Sequence, residues 1–313
     1  MTTYFATFPA GCYDIIVKHL KSFDINQLKI IDHDSSSITF KSSLTIEKLI
    51  ELRYLTNVYL VFDDSPKPRL RSLFNGHFFR LMRLKSGAPQ PLDTSERAKL
   101  ETNINRDFGL LPNTHLARND FYVIERDSLP AFLSLRLPKA KFKREKTAAG
   151  ELKPELAHIL CLAAGLKAKY KVADPFAGHG AIPLEAIRGF GCKQVLAVDQ
   201  NTILPDRRNH PEILWREADS RHLSFLEDNS LDRIVTDPPW GIYTEITDTA
   251  TFYRGILNEF HRILKSGGVA VILTGWNEFN ETLEQISGFK IIGQWDILVS
   301  GKKATLFKMQ KKP

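Results

Sequence analysis

Cysteine is scarce in this chain. Cys12, Cys161 and Cys192 are the only three, and they form neither a CxxC pair nor a Cys/His ligand spacing. A disulfide-stapled scaffold is thereby excluded and a structural zinc site is disfavoured. No apolar run approaches the length needed to span a bilayer. The opening stretch, MTTYFATFPAG, lacks the basic-then-apolar order of a secretory leader. These absences point to a soluble cytoplasmic protein with reduced thiols. Solenoid repeats and low-complexity segments are also missing, which leaves ordinary globular folds.

What is present suits two domains. The chain has 313 residues, of which 43% are hydrophobic and 25% charged, enough apolar material for more than one core. Its formal net charge of +7 suits a polyanionic partner, and plain solubility equally well. Residues 1–137 read as a small α+β domain. Strands are expected at 3–8, 37–41, 58–62, 78–84, 121–125 and 131–137, with helices at 13–20, 45–54 and 94–108, the last capped by Thr94 or Ser95. Residues 138–150 then form a basic linker, solvated or touching a phosphate backbone through Lys139, Lys141, Lys143, Arg144 and Lys146. Over residues 151–313 strands and helices alternate. Strands are expected at 171–174, 194–199, 213–217, 233–237 and 268–274, with helices at 180–188, 250–264 and 277–286 and two closing strands at 290–295 and 303–309. This order implies a mostly parallel, doubly wound α/β sheet, whose ligands bind at the C-terminal strand ends.

Four motifs fall at such ends. The first strand runs into Asp174-Pro-Phe176-Ala-Gly178-His-Gly180. Two glycines there let a ligand approach the backbone. A carboxylate at that place repels pyrophosphate and suits a cofactor bearing an ammonium group, such as S-adenosylmethionine; a bare tight turn is the other reading. His179 reads as loop filler. Asp199, ending the second strand, can accept hydrogen bonds from both ribose hydroxyls or cap a helix. Asp219 and Ser220 follow the third strand, where a carboxylate can meet an adenine amino group or close a turn.

The fourth motif, Asp237-Pro238-Pro-Trp240-Gly241, points to a reaction class. An aromatic amine is a poor nucleophile because its lone pair is delocalised into the ring. A site helps by accepting both N–H bonds, here through the Asp237 carboxylate and the Pro238 carbonyl. Trp240 offers a face on which a base stacks. A rigid turn with a buried Trp is the structural alternative.

Together, Asp174-Pro-Phe-Ala-Gly-His-Gly and Asp237-Pro-Pro-Trp-Gly resemble the class I amino-methyltransferases of nucleic acids. Thr147-Ala-Ala-Gly-Glu-Leu-Lys-Pro-Glu-Leu-Ala is similar to the helix entry of THUMP-containing tRNA guanine-N2 methyltransferases, as is Glu217-Ala-Asp-Ser-Arg-His-Leu. Phe79-Arg-Leu-Met-Arg-Leu and Phe121-Tyr-Val-Ile-Glu-Arg resemble the THUMP core. Trp240 stands where a smaller aromatic is usual. The resemblance implies a Rossmann-like methyltransferase domain behind a THUMP-like RNA-binding domain. It also implies S-adenosylmethionine as cofactor, no metal, and tRNA as partner, with one flipped guanosine methylated on N2; a monomer is expected. A DNA adenine-N6 methyltransferase would use the same Asp-Pro-Pro-aromatic chemistry. A non-catalytic RNA-binding protein retaining the fold is the remaining alternative.

Overall fold

The structure, a computed structural model, describes residues 1–24, 26–63, 70–127, 129–144, 146–148, 150–200, 210–241, 248–286 and 288–313, the side chains of Arg71, Leu129, Lys143 and Arg144 excepted. The chain divides into two compact units, Met1–Phe8 with Val17–Lys141 and Pro9–Ile16 with Phe142–Pro313. Sequence reading places residues 9–16 with the N-terminal elements; in the structure they cluster with the second unit. Among the described residues no helix is long and apolar enough to cross a membrane.

The first unit contains β1 (Thr2–Thr7), β2 (Leu28–His33), β3 (Ser37–Ser42), β4 (Asn57–Val61), β5 (Phe78–Lys85), β6 (Ala88–Gln90), β7 (Leu111–Pro112), β8 (Asn119–Arg126) and β9 (Leu129–Arg136), with α1 (Tyr13–Leu20) beginning in the second unit, and with α2 (Ile46–Ile50) and α3 (Thr94–Phe108). They make one sheet in the order β2-β3-β1-β4-β9-β8-β5-β6, with β7 beside β5. Alternation along β8 separates two cores. Phe121 and Val123 join Phe79, Leu81 and Ile104 of α3, whereas Tyr122 and Ile124 join Phe5, Tyr59 and Val61. Arg80 pairs with Asp120 at 2.5 Å and Arg83 with Glu96. The cap of α3 is Asp93, accepting from the amides of Ser95 and Glu96, and not Thr94 or Ser95 as the sequence suggests. Strand β2 escapes sequence reading because it lies at a sheet edge and buries only Leu28 fully.

The second unit contains α4 (Pro154–Ala164), β10 (Lys171–Asp174), α5 (Ala181–Phe190), β11 (Gln194–Asp199), β12 (Ile213–Glu217), β13 (Leu231–Thr236), α6 (Thr249–Ile263), β14 (Leu264–Thr274), α7 (Phe279–Glu284), β15 (Phe289–Val299) and β16 (Lys302–Lys311). The strand order is β12-β11-β10-β13-β14-β16-β15. The first five strands are parallel, and β16 and β15 close the sheet antiparallel. The chain starts in mid-sheet, runs outward to β12 and then restarts on the other side of β10. The crevice between β10 and β13 is therefore the topological switch point, where ligands of such sheets sit.

One face of this sheet is covered by α6, whose Tyr253, Ile256, Leu257, Phe260 and Ile263 are all fully buried on one helical stripe against Leu196, Ile234, Ala270 and Ile272. Each such side chain contributes roughly 1.5–3 kcal/mol on burial, which holds the strand ends in register. Pro154 opens α4 at its first turn and Gly165, left-handed at φ 63°, closes it. The segment read as a solvated linker is packed in part. Ala140 and Phe142 are buried while Lys139 and Lys141 are exposed, and 141–144 form a 3-10 turn.

Candidate active site

Strand β10 stops at Asp174 because Pro175 has no amide to continue the ladder. The residues that follow form the floor of the switch point. Asp174 is 1% exposed. Its Oδ1 accepts the Thr236 hydroxyl at 2.7 Å and the Phe176 amide at 3.2 Å. Thr236 Oγ1 also accepts the Phe176 amide at 3.2 Å. Burial pushes Asp174 up to about 8, only partly offset by those bonds and reinforced by Asp237 and Asp199. Asp174 thus braces the loop across β10 and β13. The sequence reading set this carboxylate beside a ligand ammonium; in the structure it is buried and bonded to Thr236 and the Phe176 amide.

Behind it the loop turns sharply. Gly178 has φ +49° and Gly180 φ +90°, both in the left-handed region, and Gly180 caps α5. A Cβ added at Gly178 would meet nothing within 4 Å, so the turn faces open space. The Gly178 amide donates to Asp199 Oδ2 at 2.8 Å, and the Ala177 amide to the Val198 carbonyl at 2.9 Å. A carboxylate has about four acceptor sites, so Asp199 can hold the loop and still receive ligand hydroxyls. Phe176 is partly buried and tilted against Phe252 at 5.8 Å.

On the β12 side, Ser220 is buried and donates to the Pro175 carbonyl, so its hydroxyl ties two loops together. Asp219 is gripped by Arg221, whose Nε and Nη2 reach it at 3.0 and 2.6 Å. That pairing holds its carboxyl below the usual range. Arg221 lies along α6 at Gly255, where a Cβ would come within 3.3 Å of its side chain.

The Asp237-Pro-Pro-Trp loop leaves the end of β13. Trp240 Nε1 donates to Asp237 Oδ1 at 2.9 Å. Burial pushes Asp237 up to about 7, against the lowering effect of that bond. The Pro239 carbonyl accepts the Tyr253 hydroxyl at 3.2 Å, and Tyr253 is bonded to Thr274 Oγ1 at 2.7 Å and stacked on Trp276 at 4.7 Å. No hydrogen bond is made to the Pro238 carbonyl among the described residues. The six-membered ring of Trp240 rests on Gly275, where a Cβ would stand 2.4 Å from Cε3.

The structure therefore gathers Asp174, Phe176, Gly178, Gly180, Asp199, Asp219, Ser220, Asp237, Pro238 and Trp240 on the loops at the C-terminal ends of adjacent parallel strands. Lys139, Lys141 and Lys146 are exposed and belong to a different stretch; the side chains of Lys143 and Arg144 lie outside the described residues. Sequence reading missed Thr236, Arg221, Gly255, Tyr253, Thr274 and Gly275. Only Gly275, directly after a strand, carried a local signal. The others act across 14 or more residues or through a neighbour's side chain.

S-Adenosylmethionine, which the fold implies, fits these residues. The open space before Gly178 is a cradle that a side chain would fill, and Asp199 beside it is a ribose-type acceptor. Among the described residues no group of His, Cys, Asp and Glu could hold a metal ion.

Comparison with known proteins agrees with this topology. Residues 141–190 and 206–292 match the RMKL-like methyltransferase domain, UPF0020. A curated tRNA (guanine(10)-N2)-dimethyltransferase of Methanothermobacter thermautotrophicus is 33% identical over 131 residues, 38% of this chain. The match spans 37% of that relative's length. TrmN from Thermus thermophilus superposes with a TM-score of 0.81 at 22% identity, covering 99% of this chain and 100% of that one. The SMU.472 structure, complexed with SAH, gives 0.72 at 14% identity and covers 100% of this chain and 98% of its own. The chain shares the fold of these solved structures, and most of its seven-stranded unit is similar to the RMKL-like methyltransferase domain.

Proposed function

We propose that this chain transfers a methyl group from S-adenosylmethionine to the exocyclic N2 of a guanosine in tRNA. The observation that carries the reading is the pair of acceptors at the switch point. One is the Asp237 carboxylate, held by Trp240; the other is the Pro238 carbonyl, which has no donor among the described residues. Two acceptors on one rigid loop can receive the two N–H bonds of an aromatic amine. That favours a pyramidal nitrogen with its lone pair directed outward. Bound S-adenosylmethionine supplies an electrophilic methyl on a sulfonium.

The rest of the reaction falls to this chain's residues. The Gly178–Gly180 turn and Asp199 hold the cofactor, and Asp219 and Ser220 border its adenine end. Asp237 Oδ2 and the Pro238 carbonyl orient the amine. The attacking amine is neutral, so no strong base is needed beforehand. Asp237, at about 7, can accept the proton released afterwards. A base paired in a stem must be flipped out to reach such a loop. The N-terminal unit is a THUMP-like RNA-binding domain in this reading, and Lys139, Lys141, Lys143, Arg144 and Lys146 contact phosphates.

The choice of tRNA and guanine rests on the curated relative's named activity and on the basic charge of the chain. Purified protein incubated with methyl-labelled cofactor tests it. Label should enter tRNA and not duplex or single-stranded DNA of equal length. Label in DNA adenine would favour the rival enzyme, and label in neither, with cofactor bound, would favour a non-catalytic binding protein.

A further inference from the structure

We infer that Trp240 is a positioning residue for Asp237: its indole N–H fixes the carboxylate through Oδ1 at 2.9 Å and leaves Oδ2 as the oxygen offered to the substrate amine. The inference rests on the proposed transfer to an exocyclic amine and adds a role that an aromatic platform does not need. A platform requires only a ring face. Phenylalanine or tyrosine would supply one, but neither carries a donor at the place of Nε1.

The surroundings are built to hold that donor still. Gly275 gives the six-membered ring its seat, since a Cβ there would stand 2.4 Å from Cε3 and 3.0 Å from Cδ2. The loop is pinned one residue earlier, where Tyr253 donates to the Pro239 carbonyl at 3.2 Å. Tyr253 is itself fixed by Thr274 at 2.7 Å, the residue immediately before Gly275. The end of β14 thus supports both the ring and the clamp. A carboxylate rotates freely about its terminal torsion unless a donor selects one orientation. Here the donor sits three residues along the same loop.

Among the described residues two titratable groups face Asp237, namely Asp174 at the end of β10 and Tyr253 of α6. Neither is a cation, so among the described residues the indole N–H is the group that favours the ionised carboxylate against its burial. Removing that donor disfavours the charged form and moves its titration to higher pH.

The test compares wild type, Trp240→Phe, and a protein with 3-benzothienylalanine placed at position 240, which keeps the bicyclic shape and lacks the N–H. Two quantities are measured across pH: the single-turnover rate on tRNA, and the titration of Asp237 in the free protein, by difference infrared spectroscopy of its carboxyl. The benzothienyl protein should keep the wild-type KM for tRNA. Its acidic limb should move upward by about one unit or more, so that its rate at neutral pH falls about fivefold or more and recovers as pH rises. Trp240→Phe should show the same shift with a weakened KM. An Asp237 titration unmoved in the benzothienyl protein would overturn the inference, because the N–H would then hold nothing. Failure of wild type to methylate a guanine amine would instead sink the proposed function, and the infrared titration would still decide the positioning role.

Discussion

Replacing Asp237 with asparagine removes the charge and keeps the shape. Trp240 Nε1 donates toward Oδ1 at 2.9 Å, so an asparagine there turns its carbonyl oxygen to the indole. Its NH2 then occupies the place of Oδ2 and meets the substrate amine as donor against donor. The missing bond is to a charged acceptor, worth roughly 1.5–3 kcal/mol. At about 1.4 kcal/mol per factor of ten, turnover falls roughly ten- to hundredfold from that bond alone. The pH profile changes as well. Burial has raised Asp237 to about 7, so its ionised, accepting form is the minority below that pH and the majority above it. The wild-type rate should therefore rise with pH through about 7, and Asp237→Asn should lack that limb. Single-turnover methyl transfer to tRNA measures the rate, and calorimetry of cofactor binding serves as the control, which should stay at the wild-type value. Turnover within threefold of wild type, with the acidic limb intact, would refute the reasoning.

Three other outcomes follow from the same geometry. Gly275→Ala places a Cβ 2.4 Å from Trp240 Cε3, so the ring must shift; thermal unfolding should show a loss of about 1–3 kcal/mol, with a larger loss in turnover than in cofactor affinity. Asp199→Ala removes the acceptor of the Gly178 amide and of the ligand hydroxyls; calorimetry should show cofactor affinity lowered about tenfold or more, and an unchanged value would take Asp199 out of the site. Lys139, Lys141 and Lys146 changed together to Gln should weaken tRNA binding and flatten its salt dependence, by about one unit of slope for each phosphate no longer neutralised; an unaltered slope would leave that segment a connector only.

Much of the second unit is legible in the sequence because its central parallel strands, β10, β11 and β14, carry runs of buried apolar residues. Strands β10, β11 and β12 have the bounds that their short apolar runs suggest, and α3 in the first unit matches its periodicity end to end. Edges are harder. Strand β2 exposes alternate residues and most of its length, so it offers no continuous apolar signal. Helix α7 ends two residues short of its apolar pattern. In the candidate site the acidic strand ends, Asp174, Asp199 and Asp237, announce themselves by position. Their states do not. Asp174 reads as a carboxylate suited to a ligand ammonium, and its place in the sequence does not show that it is buried against Thr236, a partner 62 residues away. Trp240 reads as a platform because spacing along a loop cannot show which way Nε1 turns. Tyr253 and Gly275 become visible only when α6 and β14 fold back onto the loop.

The most direct measurement is nucleoside mass spectrometry of tRNA incubated with this protein and trideuteromethyl-labelled S-adenosylmethionine. Label should appear as N2-methylguanosine, and Asp237→Ala should abolish it while the cofactor still binds. Label recovered as N6-methyladenosine, or N2-methylguanosine formed at the wild-type rate by Asp237→Ala, would contradict the substrate and the acceptor role respectively.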